Sequence, residues 1–294
     1  MWLRPEPVDA QEIIRKAQAT ATSLAAGNIH SLVVDETMTS GPAQSADSAI
    51  VGGRQVRNHF QRWYEAPNRW REEWGSTTTA PDGHVESNYT SLTVSDGTDL
   101  WRYDETKQRV ERSLLTSPQN QEAGFTPFGQ STQDLTDLLQ QATRCYTPVV
   151  QGSASVAGQV AYMIDLGPTR CPSASAPAMN GRRVIWVDKR TFFLLKAVQY
   201  APDGSLFSTT QVNSIQYNGA IDPSLFTFTP PVGVYVQDNR PQPAPSPNAY
   251  QQQLQRFAKQ VSFPIFQPGQ APSGLVPKAP QLDPQTGLQL DYVP

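Results

Sequence analysis

Apart from a Pro/Gly/Gln-rich loop and a helical segment between residues 116 and 142, the sequence from residue 30 to residue 218 is built of short segments rich in β-branched and aromatic residues, each cut from the next by a turn signal. The stretch VSDGTDLWRYDETKQRVER, Val94 to Arg112, shows the grammar. Ser-Asp-Gly and Asp-Glu-Thr-Lys are turns, and Leu-Trp-Arg-Tyr between them is a strand with Trp101 and Tyr103 on one face. The same reading gives strands in HSLVVDETMT, GRQVRNHFQRWYE, NRWREEWGSTTT and HVESNYTSLTVS before this stretch. It gives CYTPVVQGSASV, GQVAYMIDLG, RRVIWVDKR, FFLLKAVQYA and SLFSTTQVNSIQYN after it. Strand length and turn spacing describe an antiparallel meander. A sheet of about ten or eleven strands does not stay flat and open: it curls, splits or closes.

Two amphipathic helices must lie against that sheet. Asp9 caps the first, with Glu12 in capping-box position, and Ile13, Ile14, Ala17, Ala21, Leu24 and Ala25 form its stripe up to Gly27-Asn28. The second is expected in STQDLTDLLQQA, capped by Ser131, with Leu135, Leu138 and Leu139 as its stripe. The segment YQQQLQRFAKQ offers a third, shorter helix. The fold class is therefore α+β: a strongly curved antiparallel sheet of about ten to eleven strands, with two or three helices on its concave side. Residues 1–238 make one domain. Residues 239–294 open with the Pro-rich linker NRPQPAPSPNA and continue into the start of a small, incomplete second domain, too short to bury a core of its own.

Charge and motifs remove several function classes. Net charge is −3 with basic and acidic residues interspersed, so there is no basic stripe for nucleic acid. No run approaches the ~20 apolar residues of a transmembrane span, and MWLRPEPVDA lacks the apolar core of a signal peptide. If the protein is exported, its signal or anchor is absent from this chain. The three histidines, His30, His59 and His84, stand in separate segments. Asp96, Asp104 and Asp188 fall at turns or strand ends, where Asp serves the local backbone. No nucleophile, phosphate-loop or metal-ligand motif occurs, so no catalysis, cofactor or metal is expected. Cys145 and Cys171 are either two buried thiols or one disulfide of an exported protein. They end two strand segments whose antiparallel pairing would bring them together, which favours the bridge.

Three stretches, in this order, carry a resemblance. YEAPNRWREEW resembles an Arg-Pro-x-x-aromatic strand. VSDGTDLWRYD resembles a Ser-Asp-Gly-x-x-Leu-Trp-x-Tyr hairpin. VIWVDKR through TPPVGV resembles a closing Trp-Val-Asp strand, hairpin and Phe-rich end. Together they are similar to the LolA/LolB-like superfamily of lipoprotein carriers and receptors, which includes the RseB N-terminal domain. The resemblance implies that the sheet is an unclosed half-barrel, and that the chain is an extracytoplasmic, periplasmic or cell-surface, non-enzymatic module holding a lipid or a lipoprotein acyl chain in a hydrophobic cavity. On this sequence the lining would be Ile13, Leu24, Trp70, Trp74, Trp101, Tyr103, Leu138 and Trp186. Each of these aromatics also reads as ordinary core between sheet and helices. The Ala-rich helix stripe leaves room for a cavity. The alternative is an RseB-like sensor acting through a membrane-protein partner, and a further rival is a structural domain with a filled core. Ala66, not Arg, precedes Pro67, so the arginine latch of the lipoprotein shuttle is not at that place.

Overall fold

Asp9 starts helix α1 (Ala10–Thr22) by accepting the Gln11 N–H on its carboxylate. Glu12 does not reach back to the cap; it pairs with Arg15 at 2.7 Å and Lys16 at 3.5 Å. The helix stops five residues before the expected end. Ser23 is extended, the Thr22 hydroxyl donates to the Gln18 carbonyl, and the chain resumes as a single 3-10 turn, Leu24–Gly27. Thr and Ser compete for backbone bonds in this way and weaken a helix end. Gly27 is required here: a Cβ would stand 2.6 Å from the Thr191 carbonyl oxygen.

The computed structural model describes residues 9–40, 53–116, 139–172, 180–240 and 247–261, residue 265, and the pieces 276–277, 280–283, 287–290 and 292–293. The first meander comprises β1 (Ser31–Ser40), β2 (Gln55–Glu65), β3 (Arg69–Thr79), β4 (Val85–Asp96), β5 (Asp99–Asp104) and β6 (Arg109–Leu114). A helix α2, helical from 139 to 144 in its described part, leads to the second meander. That meander comprises β7 (Val149–Val156), β8 (Gln159–Gly167), β9 (Arg183–Asp188), β10 (Leu194–Tyr200) and β11 (Leu206–Tyr217). A strap follows, with a 3-10 turn at Pro223–Phe226, then β12 (Tyr235–Asp238) and α3 (Pro247–Ala258).

All twelve strands form one sheet in the order β12-β6-β5-β4-β3-β2-β1-β11-β10-β9-β8-β7. β1 sits in the middle, joining the two meanders through antiparallel pairing with β2 and β11. The outermost strands, β7 and β12, do not pair, so the half-barrel is open. The twelfth strand was not expected. β12 is four residues long and lies parallel to β6, the one parallel pair in this sheet.

The core lies on one face of the second meander and of the adjoining β1. Ile13, Ile14, Ala17 and Ala21 of α1 and Leu139 and Ala142 of α2 pack with Leu32, Val34, Ile164, Ile185, Val187 and Val212. Burying each of the larger side chains contributes about 1.5–3 kcal/mol. Cys145 and Cys171, just outside β7 and β8, are joined by a disulfide with Cα atoms 5.2 Å apart. The bridge closes a 26-residue separation, worth about 3 kcal/mol in the chain-entropy account.

Candidate ligand-binding face

Residues paired across an antiparallel ladder share a face, so the register sorts every side chain. The face that bears α1, here the inner face, runs in cross-strand rows over β1–β6. One row is Leu32, Tyr64, Trp70, Ser95, Leu100 and Ser113. The next is Val34, Arg62, Glu72, Thr93, Arg102 and Glu111. The third is Glu36, Phe60, Trp74, Ser91, Asp104 and Arg109, with Tyr89 one row further out, opposite Ser76. Phe60 and Trp74 stack at 6.1 Å and Tyr89 tilts against Trp74 at 5.0 Å. Such pairs add about 0.5–1.5 kcal/mol to the area they bury. Beyond β1, with its Leu32 and Val34, the core cluster reaches this half of the sheet only at Tyr64 and does not include Phe60, Trp70 or Trp74.

The residues expected to line a cavity divide between two faces. Ile13 and Leu24 are buried in the core beneath the helices. Trp70 is buried and Trp74 half-buried, both on the inner face. Trp101 and Tyr103 pair with Val94 and Leu92 and therefore point to the opposite, outer face. There the strap crosses them: Phe228 lies 5.7 Å from Trp101 and 6.2 Å from Tyr103, and Phe226 is buried beside Arg69. Trp186 pairs with Lys196, whose ammonium sits 5.1 Å above its ring, also on the outer face. Leu138 lies outside the described residues. Phe60 and Tyr89 escaped the sequence reading, although each stands on a strand at even spacing from residues that face inward.

A charged row crosses the middle of the inner face. Arg62 is fully buried between Glu36 at 3.2 Å and Glu72 at 2.5 Å, with its guanidinium 4.3 Å from the Phe60 ring centre. Glu36 is fully buried too. Removing two such charges from water costs several kcal/mol per ion, which only close geometry offsets. Further along the row, Arg102, Lys107, Arg109, Asp104 and Glu111 surround a 240 Å³ recess with Tyr89, Ser91 and Thr93. Burial pulls the Arg102 guanidinium below its ordinary range, against the opposing pull of Glu111. Burial also pushes the Tyr89 phenol up, with Asp104 adding to the rise.

On the outer face a 370 Å³ recess is lined by His59, Gln61, Glu73, Leu92 and Tyr103 among others. His59 Nε2 lies 2.8 Å from Asp35, whose other oxygen accepts from Asn213 at 2.6 Å. Among the described residues no group of three or more His, Cys, Asp or Glu could hold a metal ion. No helix among them is long and apolar enough to cross a membrane.

A family model whose description reads "Uncharacterized protein" matches residues 78–229, just over half of the chain. The chain belongs to that family. An outer-membrane lipoprotein carrier protein from Edwardsiella ictaluri is 28% identical over 172 residues, 58% of this chain and 72% of the carrier. The open twelve-stranded sheet with α1 and α2 on one face is a LolA/LolB-like fold. Among solved structures, MucB matches at 14% identity and TM-score 0.42. That match covers 77% of this chain and 65% of MucB, a little under two thirds of its length. MucB has also been solved in complex with MucA(peri). The Mycobacterium tuberculosis lipoprotein LppX matches at 15% identity and TM-score 0.36, over 72% of this chain and 97% of LppX.

Proposed function

We propose that the chain is an extracytoplasmic, non-enzymatic binding module that holds the acyl chain of a lipid or lipoprotein against the inner face of β1–β6. One observation carries the reading: aromatic side chains Phe60, Trp70 and Trp74 stand on the helix-bearing face outside the cluster that α1 and α2 build. An acyl chain laid along them would gain about 0.8 kcal/mol per buried methylene. The sequence relation to an outer-membrane lipoprotein carrier protein supports the same class of ligand.

The division of the tryptophans gives the test. A fatty acid brominated along its chain is titrated into the intact protein while tryptophan emission is recorded. Quenching that survives Trp101→Phe with Trp186→Phe, and is lost in Trp70→Phe with Trp74→Phe, supports an inner-face chain. The reverse pattern, or no quenching with no change in melting temperature, sinks the reading. Native mass spectrometry of the purified protein, followed by solvent extraction, identifies any lipid carried from the source cell.

A second reading is a regulatory module acting through a membrane-protein partner. It is favoured by the elements after β12: α3 buries Tyr250 and Leu254, and Gln253 donates to the Pro280 carbonyl at 3.1 Å. In this reading residues 239–294 begin a second unit that makes the partner contact. Truncation after Arg240 would then abolish partner capture while leaving acyl binding intact. Equal loss of both would count against it.

A further inference from the structure

We infer that the recess between β4, β5 and β6 is an anion subsite centred on Arg102, built for the phosphate or carboxylate head group of an amphiphile whose chain lies along Phe60, Trp74 and Tyr89. The inference rests on the acyl-binding reading and names the chemistry of the other end of the ligand. Three features carry it. The first is the charge count: Arg102, Lys107 and Arg109 face Asp104 and Glu111, leaving one positive charge in excess. The second is how the two carboxylates are occupied. Glu111 pairs with Arg109 at 3.3 Å, and Asp104 with Lys107 at 3.1 Å and with the Tyr89 hydroxyl. Arg102 is half-buried and has no ion pair and no hydrogen bond among the described residues, so its N–H groups reach solvent and are open to an incoming acceptor. A guanidinium in that position accepts a two-oxygen anion in bidentate fashion.

The third feature is continuity. Tyr89 is at once a wall of the recess and the last ring of the Phe60–Trp74–Tyr89 stack. An apolar chain on the stack therefore ends within reach of the recess. Arg102 also stands in the same cross-strand row as Glu72 and Arg62. Arg62 is held by two glutamates, so of the two inner-face arginines in that row Arg102 is the one left for an incoming acid. Its lowered proton affinity fits a cation short of partners.

The test uses the whole chain as wild type, Arg102→Gln and Arg102→Lys. Binding of dodecyl phosphate, dodecyltrimethylammonium and inorganic phosphate is followed by titration calorimetry below the micelle concentration. Wild type is expected to bind dodecyl phosphate about ten-fold tighter than dodecyltrimethylammonium, the ratio that one charge-assisted hydrogen bond supports. Arg102→Gln removes that preference, weakening dodecyl phosphate about ten-fold without weakening dodecyltrimethylammonium, and Arg102→Lys keeps part of it. If Arg102→Gln retains the wild-type ratio while both amphiphiles bind, the subsite is overturned and the acyl reading stands. If neither amphiphile binds but inorganic phosphate does, and only when Arg102 is present, the subsite stands as a free-phosphate site and the acyl reading falls. If neither dodecyl phosphate nor inorganic phosphate binds wild type, the subsite is overturned outright.

Discussion

Beneath α1, strands β8, β9 and β11 present Ile164, Ile185, Val187 and Val212 to the inner face; on the same face of β2–β5 stand Phe60, Trp74, Arg62, Glu72 and Arg102. The first half is filled by aliphatic side chains at exposures near zero. The second half is wider in side-chain type, mixing stacked rings with charges in alternating rows. A core made only of Ile, Leu and Val is complete when its volume is filled. A surface of rings and paired ions keeps polar atoms that must be satisfied and flat faces that accept a further apolar group. The halves therefore differ in what fills them: one is packed against the helices, and the other, in the function proposed above, takes the ligand.

That contrast can be broken most forcefully at Arg62. Arg62→Leu removes the Arg62 cation from the buried Glu36 carboxylate and should cost about 3–5 kcal/mol in urea unfolding. Adding Glu36→Leu and Glu72→Leu should recover most of the loss, since an apolar replacement of a buried ion cluster is often neutral or stabilising. A near-neutral Arg62→Leu would mean that the charged row is not a structural element of the second half. Ile14→Ala in the aliphatic half should cost about 2–5 kcal/mol and leave the quenching pattern of bound brominated chain unchanged. Loss of quenching there would place the ligand under α1 instead. Replacing Cys145 and Cys171 by Ser should cost about 3 kcal/mol, confined to the β7–β8 end and measured as a lower urea midpoint with unaltered ligand affinity.

The strands, α1 and the disulfide were legible because each rests on a local signal: a turn dipeptide, an apolar period, a cap, a pair of strand ends. That the sheet stays open came from the resemblance, since strand count alone allows a long sheet to curl, split or close. The faces were not. Trp70 and Trp101 both stand in strands that alternate, and which way each points depends on the register across two connections. Ser95 pairs with both Trp70 and Leu100, which places Trp101 on the far side. Nothing in LWRY by itself carries that parity. The strap that covers Trp101 and Tyr103 comes from more than a hundred residues later, so its Phe228 could not be matched to them by spacing. Arg62 was equally hidden, because an Arg on an alternating strand reads as solvent-facing until its two glutamate partners are brought beside it. β12 failed for a different reason: four residues paired in parallel give no periodic signal long enough to read.

The smallest effect separates the two ends of the sheet by acid. Arg240 holds the Asp238 carboxyl below its ordinary range on β12, and Arg182 does the same for Asp165 on β8. A carboxylate with a depressed folded-state pKa stabilises the fold above the unfolded value of about 3.9, and that contribution is lost as pH falls through the folded value. Both pairs touch solvent, so each should contribute less than about 1 kcal/mol. The consequences differ because the strands differ. β8 is nine residues long and anchored by Ile164 and Leu166 in the core. β12 has four residues and meets the sheet only along β6, assisted by Asn239 N–H to the Arg112 carbonyl at 2.7 Å. Between pH 5 and about pH 3, hydrogen-exchange protection should fall at β12 while β8 and β9 remain protected. Asp238→Asn should bring β12 to its low-protection state already at neutral pH and remove the pH dependence there. If β12 and β8 lose protection together, the parallel edge strand is part of the same cooperative unit as the helix-covered half, and the two halves of the sheet unfold as one.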